Sequence, residues 1–292
     1  MHVGPGSLTL APGTQSTRGA TPSRTVETEV GAAVNIVVLV KQVPDTWAER
    51  KLNDGDKTLD RASVDVVMNE IDEYAVEEAL RIKEAQGGEV TILTMGPERA
   101  IETIRKALSM GADKAVHLTD EALHGSCVLQ TSYALAKVLG TLEFDLVLLG
   151  SESTDARLAV MAPLLAERLS LPQLSGARKV TADGVTVRIE RQTENGYDVV
   201  EAAMPAIISV VEKINEPRYP SFKGIMAAKS KPLTTLSIAD AGIEADQVGL
   251  AHATSKVAEF ANRPPRQAGQ IVKDEGDGGL KVAEFLASQK FV

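Results

Sequence analysis

Polar side chains that could do chemistry are concentrated in three short segments: 41-KQVPDT, 69-NEID and 150-GSESTDAR. Asp155 could hydrogen-bond a ribose, and it is equally suited to cap the helix that follows it. Lys41 and Arg157 could contact a phosphate or remain solvated. The opening at Asn69 has the form of a capping box, which is the commoner case, but its free backbone N–H groups could also hold an anion. These residue types indicate ligand binding.

No established catalytic motif accompanies these segments. The sequence contains no GxGxxG, Walker A or GxSxG pattern and no cluster of metal ligands, and its 4 histidines lie far apart. His117 alternates with apolar residues in a predicted strand, which favours a structural role. Cys127 stands at a predicted helix start and could have a lowered pKa, although a small half-buried side chain is the favoured interpretation. The sequence therefore predicts no catalytic residue.

The elements that must position these side chains alternate along the chain. Short β-branched apolar runs predict buried strands, and segments with helical periodicity predict helices between them. The predicted strands are 35–40, 89–95, 114–120, 144–150 and 204–211, and the predicted helices are 70–85, 97–110, 126–139 and 158–169. Pro163 must kink the last helix or mark its true start. An Asp-Gly pair at 183–184 predicts a β-hairpin within 178–192.

This alternation predicts an α/β fold with a parallel sheet, right-handed crossovers and three layers. In such sheets, ligands bind at the carboxyl ends of the strands where the winding direction reverses. If the first and fourth predicted strands are central neighbours, the segments that begin at Lys41 and Gly150 form that crevice, and the helix start at Asn69 is a third contributor. The residues alone therefore predict a nucleotide-type crevice without catalytic machinery.

Composition excludes several classes of protein. The net charge of -9 and the pI near 5.1 argue against general binding to nucleic acid or anionic membranes, which requires a basic face. A single cysteine permits no internal disulfide. No apolar run approaches the roughly 18 residues that a membrane span needs. Aromatic residues make up 3% of the chain, which is too few for a base-stacking platform.

The two ends of the chain differ from its middle. Residues 1–33 are rich in Gly, Pro, Ser and Thr, which predicts a disordered leader, and they lack the apolar core of a signal peptide. This leader is either a transit peptide, which would indicate the mitochondrial matrix, or sequence upstream of a true start near Val34, which would indicate a bacterial cytoplasmic protein. Residues 233–292 have too few apolar runs for a core of their own, which predicts an arm that lies on a partner.

Between the predicted domain, residues 34–212, and this arm lies 213-KINEPRYPSFKGIMAAKSKP-232. Its prolines, lysines, two aromatic residues and Ile-Met pair break both helix and strand patterns. Composition alone favours a structural elbow with solvated lysines over a surface that holds another protein.

The chain from Asn35 to Val292 resembles the beta subunit of electron transfer flavoprotein. The matching blocks include 35-NIVVLVKQVPD, 68-MNEIDEYAVEEALRIKE, 95-MGPERAIETIRKALSMGAD, 189-IERQTENGYDVVEAAMPAIIS, 215-NEPRYPSFKGIMAAKSKP and 263-RPPRQAGQIV. The resemblance implies a nucleotide-binding domain of the HUP, or adenine nucleotide alpha hydrolase-like, type with a β-hairpin insertion and an extended C-terminal arm. It also implies a heterodimer with an alpha subunit that holds most of a redox-active FAD, while the beta subunit binds a structural AMP.

An electron carrier of this family accepts electrons from acyl-CoA dehydrogenases and related flavoenzymes and passes them to a membrane-bound quinone oxidoreductase. The resemblance leaves two alternatives open: a beta subunit with a second FAD that bifurcates electrons, and a stand-alone regulatory protein that binds an adenine nucleotide.

Carried over by position, the resemblance assigns nucleotide contacts to Leu39, Asn69, Glu70, Ile71, Asp72, Met95, Glu152, Ser153, Thr154, Asp155, Arg157 and Met161. The sequence departs from the family where a phosphate-lining Thr-Gly-Gln is replaced by Met161-Ala162-Pro163, because proline has no N–H for an anion. Phosphate contacts are therefore expected from Ser153, Thr154 or Arg157.

The segment at 213–232 corresponds to the family's recognition loop for dehydrogenases. The resemblance reverses the preference for an elbow and implies that Phe222 enters a pocket of the partner, with Pro220, Ile225, Met226 and Lys229 beside it. Burial of one Phe contributes about 2 kcal/mol, which suits a transient complex.

Overall fold

The computed structural model describes residues 33–261, 263–266, 269 and 271–292. Except for Ala33, the predicted leader lies outside the described residues. The strands are β1 Ile36–Leu39, β2 Gln42–Pro44, β3 Val66–Met68, β4 Val90–Met95, β5 Lys114–Leu118, β6 Leu146–Gly150, β7 Gln173–Ala182, β8 Thr186–Thr193, β9 Gly196–Ala203, β10 Ala206–Val210 and β11 Leu233–Leu236. The α-helices are α1 Glu70–Gln86, α2 Ile101–Met110, α3 Val128–Leu139, α4 Met161–Leu169, α5 Phe222–Ala228 and α6 Gly278–Ser288.

A nine-stranded sheet in the order β11-β5-β4-β1-β6-β10-β7-β8-β9 forms the middle layer. Its strands run parallel except for the antiparallel pairs β7–β8 and β8–β9. Ile36 and Val38 of β1 pack in one apolar cluster with α1 and α2, whereas Val37 and Leu39 pack in a second cluster with α3 and α4. Successive side chains of a strand point to opposite faces, so helices cover the sheet on both sides. The predicted three-layer α/β fold with a mainly parallel sheet is confirmed.

Strand β1 lies at the point where the winding direction reverses. It pairs in parallel with β4 on one side and with β6 on the other, where Ile36 is opposite Val90 and Leu146 respectively. The first and fourth predicted strands are therefore neighbours, as the crevice required. The carboxyl ends of β1 and β6 lie side by side at this point.

The helix boundaries follow local chain chemistry. Helix α2 ends before Gly111, whose φ of 142° is disfavoured for other residues. Helix α4 starts at Met161, so Pro163 lies in its first turn, where its missing N–H costs little. This start is three residues later than the periodicity predicted. The residues from Ser151 to Val160 form a longer connection than expected, with positive φ at Arg157 and Ala159.

Two strand pairs, β8–β9 and β2–β3, were not predicted from the sequence. The hairpin at Asp183-Gly184 forms between β7 and β8, but the chain then turns again and adds β9 at the edge of the sheet. Because β7 also pairs in parallel with β10, this hairpin extends the main sheet. Residues 42–68 leave the crevice and return to it as the antiparallel pair β2–β3.

The segment at 213–232 contains a short helix where the sequence predicted a loop. Ser221 caps α5 by accepting a hydrogen bond of 3.0 Å at Oγ from the N–H of Gly224. Helix α5 packs against α2, and its contact residue Ala228 is buried in the same cluster as α1 and α2.

The C-terminal part of the chain first packs on its own domain. Strand β11 joins the edge of the main sheet beside β5, and Ala241, Ile243 and Val248 are buried in the cluster of α3 and α4. The predicted arm from residue 233 therefore stays in contact with the domain to Leu250, whose N–H bonds the carbonyl of His124 at 2.8 Å, and on to Ala258, whose carbonyl oxygen accepts from Lys57 Nζ. The residues after Leu250 expose large apolar side chains: Val257, Phe260, Ile271, Val272, Leu280, Val282, Phe285, Phe291 and Val292.

Candidate functional site

Asn69 joins two of the three predicted crevice segments. Its side-chain amide donates to the carbonyl oxygen of Glu152 at 2.9 Å, and its Oδ1 accepts from the N–H of Thr154 at 3.0 Å. Asn69 occupies the N-cap of α1, but its side chain makes no capping hydrogen bond to that helix. The capping-box interpretation of 69-NEID is therefore wrong, and the side chain holds the loop after β6 in place.

Asp72 is the buried centre of the same arrangement. Its carboxylate accepts hydrogen bonds from the backbone N–H of Lys41 at 2.8 Å and from that of Gly150 at 3.1 Å. Burial raises the pKa of Asp72 to about 7, although these hydrogen bonds act in the opposite direction. A Cβ on Gly150 would lie 2.5 Å from Oδ1 of Asp72, so the close approach of β6 to α1 requires glycine. One side chain thus connects the ends of β1 and β6 to α1.

Asp155 is held between two cations. Lys41 Nζ lies 2.8 Å from Oδ1 and Arg61 Nη2 lies 2.7 Å from Oδ2, while the Asp155 side chain is only 2% exposed. Burial alone would raise the pKa of Asp155, but the charges of Lys41 and Arg61 and the hydrogen bonds outweigh it and lower this pKa to about 2. Helix α4 has Val160 at its N-cap, so the alternative role of Asp155 as a helix cap is wrong.

The charge balance of this cluster suits an anion. Two cations face the Asp155 carboxylate, so these three side chains together carry one positive charge when Lys41 is protonated; burial lowers the pKa of Lys41, and Asp72, when ionised, offsets part of this charge. Ser153 is part of the cluster, because its Oγ lies 3.2 Å from Lys41 Nζ. The first turn of α4 adds the N–H groups of Met161 and Ala162, whereas Pro163 offers none.

Two buried hydroxyl groups near the crevice lack partners. Among the described residues, Thr94 Oγ1 and Thr154 Oγ1 are buried side-chain atoms with no hydrogen-bond partner. Thr94 lies next to the carboxyl end of β4, and Thr154 lies in the loop after β6. A buried hydroxyl without a partner costs free energy, so a ligand that pairs with Thr94 or Thr154 would be stabilised, although Gln86 Oε1 and Asn215 Oδ1, outside the crevice, also lack partners in the described part of the chain.

The remaining predicted contact residues divide into two groups. Leu39, Met95 and Met161 belong to or pack against the apolar cluster of α3 and α4; Leu39 is buried and the two methionines are half-buried, and we call these three side chains the apolar patch. Ile71 is half-buried close to Gly150. Glu70 and Arg157 are exposed, and their side chains make no hydrogen bond to other described residues.

Sequence patterns missed one residue of the cluster and undervalued another. Lys41 was considered as a phosphate contact but was not among the predicted site residues. Arg61 was missed because it lies within the long excursion between β2 and β3, where no periodicity predicts its direction. A lone arginine in such a loop carries no signal until the fold brings it to Asp155.

The predicted recognition residues form an exposed apolar face on α5. Phe222, Ile225 and Met226 are 81%, 47% and 51% exposed, and their spacing of three and four places them on one side of the helix. Pro220 is half-buried and Lys229 is exposed. The opposite side of α5 contacts α2, where a Cβ on Gly224 would lie 2.5 Å from the carbonyl oxygen of Ser109.

Other kinds of site are absent from the part of the chain that the structure describes. No group of three or more His, Cys, Asp or Glu side chains there could hold a metal ion. None of the described helices has the length and apolar character needed to cross a membrane.

Comparison with known proteins gives consistent matches. A family model described as the electron transfer flavoprotein domain matches residues 56–241. The electron transfer flavoprotein subunit beta of Mycobacterium leprae is 56% identical over 264 residues, which cover 88% of this chain and 99% of that protein. The protein of the same name from Megasphaera elsdenii is 37% identical over 271 residues, or 89% of this chain and 100% of that protein. The Acetobacterium woodii protein named caffeyl-CoA reductase-Etf complex subunit CarD is 35% identical over 258 residues, or 88% of this chain and 97% of that protein.

Proposed function

The chain belongs to the electron transfer flavoprotein family as a beta subunit, and from this premise we propose that it binds AMP in the crevice at the ends of β1 and β6. As a beta subunit it is an electron-transfer component that works in a complex with a partner subunit. The partner is an alpha subunit that carries most of a redox-active FAD, and the AMP in this chain has a structural role.

The observation that carries the nucleotide assignment is the set of unused polar groups in the crevice. Asn69 and Asp72 fix its walls, yet Thr154 Oγ1 stays buried without a partner and the Lys41–Asp155–Arg61 cluster keeps an excess positive charge. A phosphate monoester matches both features, since it brings acceptor oxygens and negative charge. The apolar patch of Leu39, Met95 and Met161 gives the less polar part of the nucleotide a surface to contact.

A second candidate is FAD in the same crevice, in a subunit that bifurcates electrons. Pro163 removes one N–H from the first turn of α4, so the phosphate surroundings differ from a Thr-Gly-Gln lining. A relative at 35% identity is named as part of a caffeyl-CoA reductase-Etf complex, which differs from the simple beta-subunit names of the other relatives. Extraction of the bound nucleotide distinguishes the two candidates.

The stand-alone regulatory protein is the weaker alternative. Residues beyond Leu250 expose a series of large apolar side chains that this chain leaves uncovered, and a partner surface accounts for them. The same residues favour an arm that lies across the alpha subunit.

The exposed face of α5 is the proposed docking surface for dehydrogenases. Phe222 is the most exposed of its three apolar side chains, and its aromatic ring suits a pocket on a partner protein. Electrons would arrive from acyl-CoA dehydrogenases and related flavoenzymes and leave to a membrane-bound quinone oxidoreductase. We infer a role in fatty acid beta-oxidation, and the bacterial relatives favour the bacterial cytoplasm over the mitochondrial matrix as its location.

Co-expression with an alpha subunit tests the proposal. We expect the two chains to purify together with one FAD absorbance spectrum, and we expect heat or acid to release AMP in about equal amount to FAD. The isolated beta chain should show no flavin absorbance. A second equivalent of FAD in place of AMP would favour the bifurcating alternative, and a stable homodimer that never pairs with a flavin-bearing chain would contradict the family role.

A further inference from the structure

Arg218 lies at the start of the segment that carries α5 and binds two carboxylates of α1. Its Nε and Nη2 donate to Glu77 Oε2 and Oε1 at 2.7 and 3.0 Å. Its Nη1 and Nη2 donate to Glu84 Oε1 and Oε2 at 2.5 and 3.2 Å. The backbone N–H of Arg218 also donates to Glu77 Oε2 at 3.1 Å. We call these three residues the Arg218 clamp.

Burial makes the inner half of this clamp strong. The Glu77 side chain is only 5% exposed, whereas that of Glu84 is 59% exposed. Burial alone would raise the pKa of Glu77, but the guanidinium of Arg218 outweighs it, and the pKa lies below its usual value. Surface ion pairs contribute little, but a bidentate pair with a buried carboxylate is geometrically fixed and hard to break.

The segment is attached to the domain near both ends and through the side of α5 that packs on α2, whereas Tyr219 and the outer face of α5 are exposed. Near its start, Asn215 Nδ2 donates to the carbonyl of Tyr74 and to Glu78 Oε2, each at 3.0 Å. Near its end, Lys231 Nζ donates to the carbonyls of Leu108 and Ala112 at 2.9 and 2.6 Å. Between these attachments, Tyr219 is 96% exposed and Phe222 is 81% exposed.

We propose that the Arg218 clamp is the positioning device of the docking surface, because it fixes the chain four residues before Phe222 and so presents that ring in one place. This inference rests on the proposed docking role of α5. Residues that are already ordered before association lose less entropy when they bind, so a fixed segment binds more tightly than a mobile one. Arg218 acts through Phe222 and does not itself contact the dehydrogenase.

The hydrogen-bond geometry of the Arg218 clamp requires arginine and cannot be reproduced by lysine. Two carboxylates seven residues apart on α1 are bound by one guanidinium, whose five N–H donors lie in a plane. Lysine keeps the positive charge beside Glu77, but it cannot form two bidentate pairs. Arg218→Lys therefore loosens the segment without leaving a buried carboxylate uncompensated.

The test uses the purified alpha–beta heterodimer as electron acceptor for a reduced medium-chain acyl-CoA dehydrogenase. For Arg218→Lys we expect an apparent KM for the heterodimer that is roughly tenfold higher, with kcat within about twofold, because only association is affected. Glu84→Gln should give a smaller increase in KM, since its carboxylate is exposed. FAD content should stay at the wild-type value, whereas the thermal midpoint of Arg218→Lys should fall modestly, because hydrogen bonds to Glu77 and Glu84 are lost while a positive charge stays beside Glu77. Arg188→Lys, at an exposed arginine of β8, is the matched control.

A double-mutant cycle with Phe222→Ala separates positioning from general damage. Phe222→Ala alone should raise KM, and adding Arg218→Lys to it should raise KM no further, because the clamp acts through that ring. An additive effect in the double variant, or a loss of FAD content in Arg218→Lys, would overturn the positioning role. If Phe222→Ala raises KM and Arg218→Lys does not, the docking surface stands and the clamp fails. If Phe222→Ala leaves KM unchanged, the docking surface itself fails, and the clamp with it.

Discussion

The pKa values of two aspartates in the crevice are shifted in opposite directions because the neighbours of their carboxyl groups differ. Asp72 is buried, and burial raises its pKa to about 7 although hydrogen bonds from Lys41, Asn69 and Gly150 act in the opposite direction. Asp155 is as inaccessible, but Lys41 and Arg61 lower its pKa to about 2. Asp72 therefore weakens the fold as pH rises from about 4 to 7, since the folded state then has to release a proton that it binds more tightly. Asp155 instead stabilises the fold as pH rises from about 2 to 4, because its folded pKa is lower than its unfolded value.

The contribution of Asp155 can be measured from the pH dependence of stability. Its folded pKa is below the unfolded value of 3.8, so its stabilisation is complete above about pH 4 and is lost as pH falls through about 2. We expect Asp155→Asn to lower the free energy of unfolding at neutral pH by about 2 kcal/mol. The decrease in the free energy of unfolding between about pH 4 and about pH 2, which we call the acid limb, should also become smaller. Urea unfolding at a series of pH values measures both.

Glu70→Gln is the control, because that carboxylate is exposed and should leave the curve unchanged. An Asp155→Asn curve parallel to the wild type throughout the acid limb would contradict the assigned pKa.

Sequence patterns predicted these residues better than their roles. Asn69 and Asp155 were identified as candidates, but each had an equally local explanation as a helix cap. Only the position of the loop after β6 decides between the alternatives, and that position depends on pairing between β1 and β6. The partners of a loop side chain come from distant parts of the chain, so spacing alone could not identify Arg61.

At the scale of elements, the contact between α5 and α2 shows a conflict between propensity and packing. Gly224 is unfavourable within a helix, and replacing it with alanine would normally stabilise α5 by about 0.8 kcal/mol. Here a Cβ would lie 2.5 Å from the backbone carbonyl oxygen of Ser109. Packing therefore decides this position, and α5 can lie close to α2 only with glycine.

We expect Gly224→Ala to move α5 away from α2 and to destabilise it by about 1 kcal/mol overall, because overpacking costs more than the gain in propensity. Hydrogen exchange of the amides of α5 should become faster. Gly279→Ala in α6 is the matched control, since a Cβ there meets nothing within 4 Å. Slower exchange in α5 would show that the contact adapts and that propensity dominates.

The central strands and helices were predictable because their own residues specify them. β1, β6 and β10 are buried throughout, and continuous apolar runs are typical of strands covered on both faces. β9 consists mainly of exposed residues and β11 of exposed and half-buried ones, and they become strands because an edge is available beside β8 and β5. Edge strands are determined by context more than by propensity, so the sequence did not reveal them.

For the whole molecule, the boundary between the packed residues and the exposed arm determines what can be removed. Residues up to Val248 contribute to the core, and Thr254 Oγ1 still lies 3.2 Å from Cys127 Sγ. Beyond that point the described side chains are mainly exposed.

Removing residues 259–292 should therefore leave a folded domain that associates much more weakly with the alpha subunit. We expect a circular dichroism spectrum and a thermal midpoint close to those of the isolated full-length chain. We expect the affinity for the alpha subunit to fall roughly a hundredfold or more, since each apolar side chain that the partner covers contributes about 1.5–3 kcal/mol. Co-purification with a tagged alpha subunit measures the second effect. Unchanged co-purification would show that the subunits associate through the domain alone.

The exposed apolar side chains between Val257 and Val292 also affect the level to which this protein can accumulate in a cell. A beta subunit without its partner displays them to proteases and to other unfolded or exposed surfaces, which favours degradation and aggregation. If the arm lies on the alpha subunit as proposed, synthesis of the two subunits in matched amounts would remove that exposure by mass action. The stability of this chain in the cell would then depend on the supply of its partner as well as on its own core.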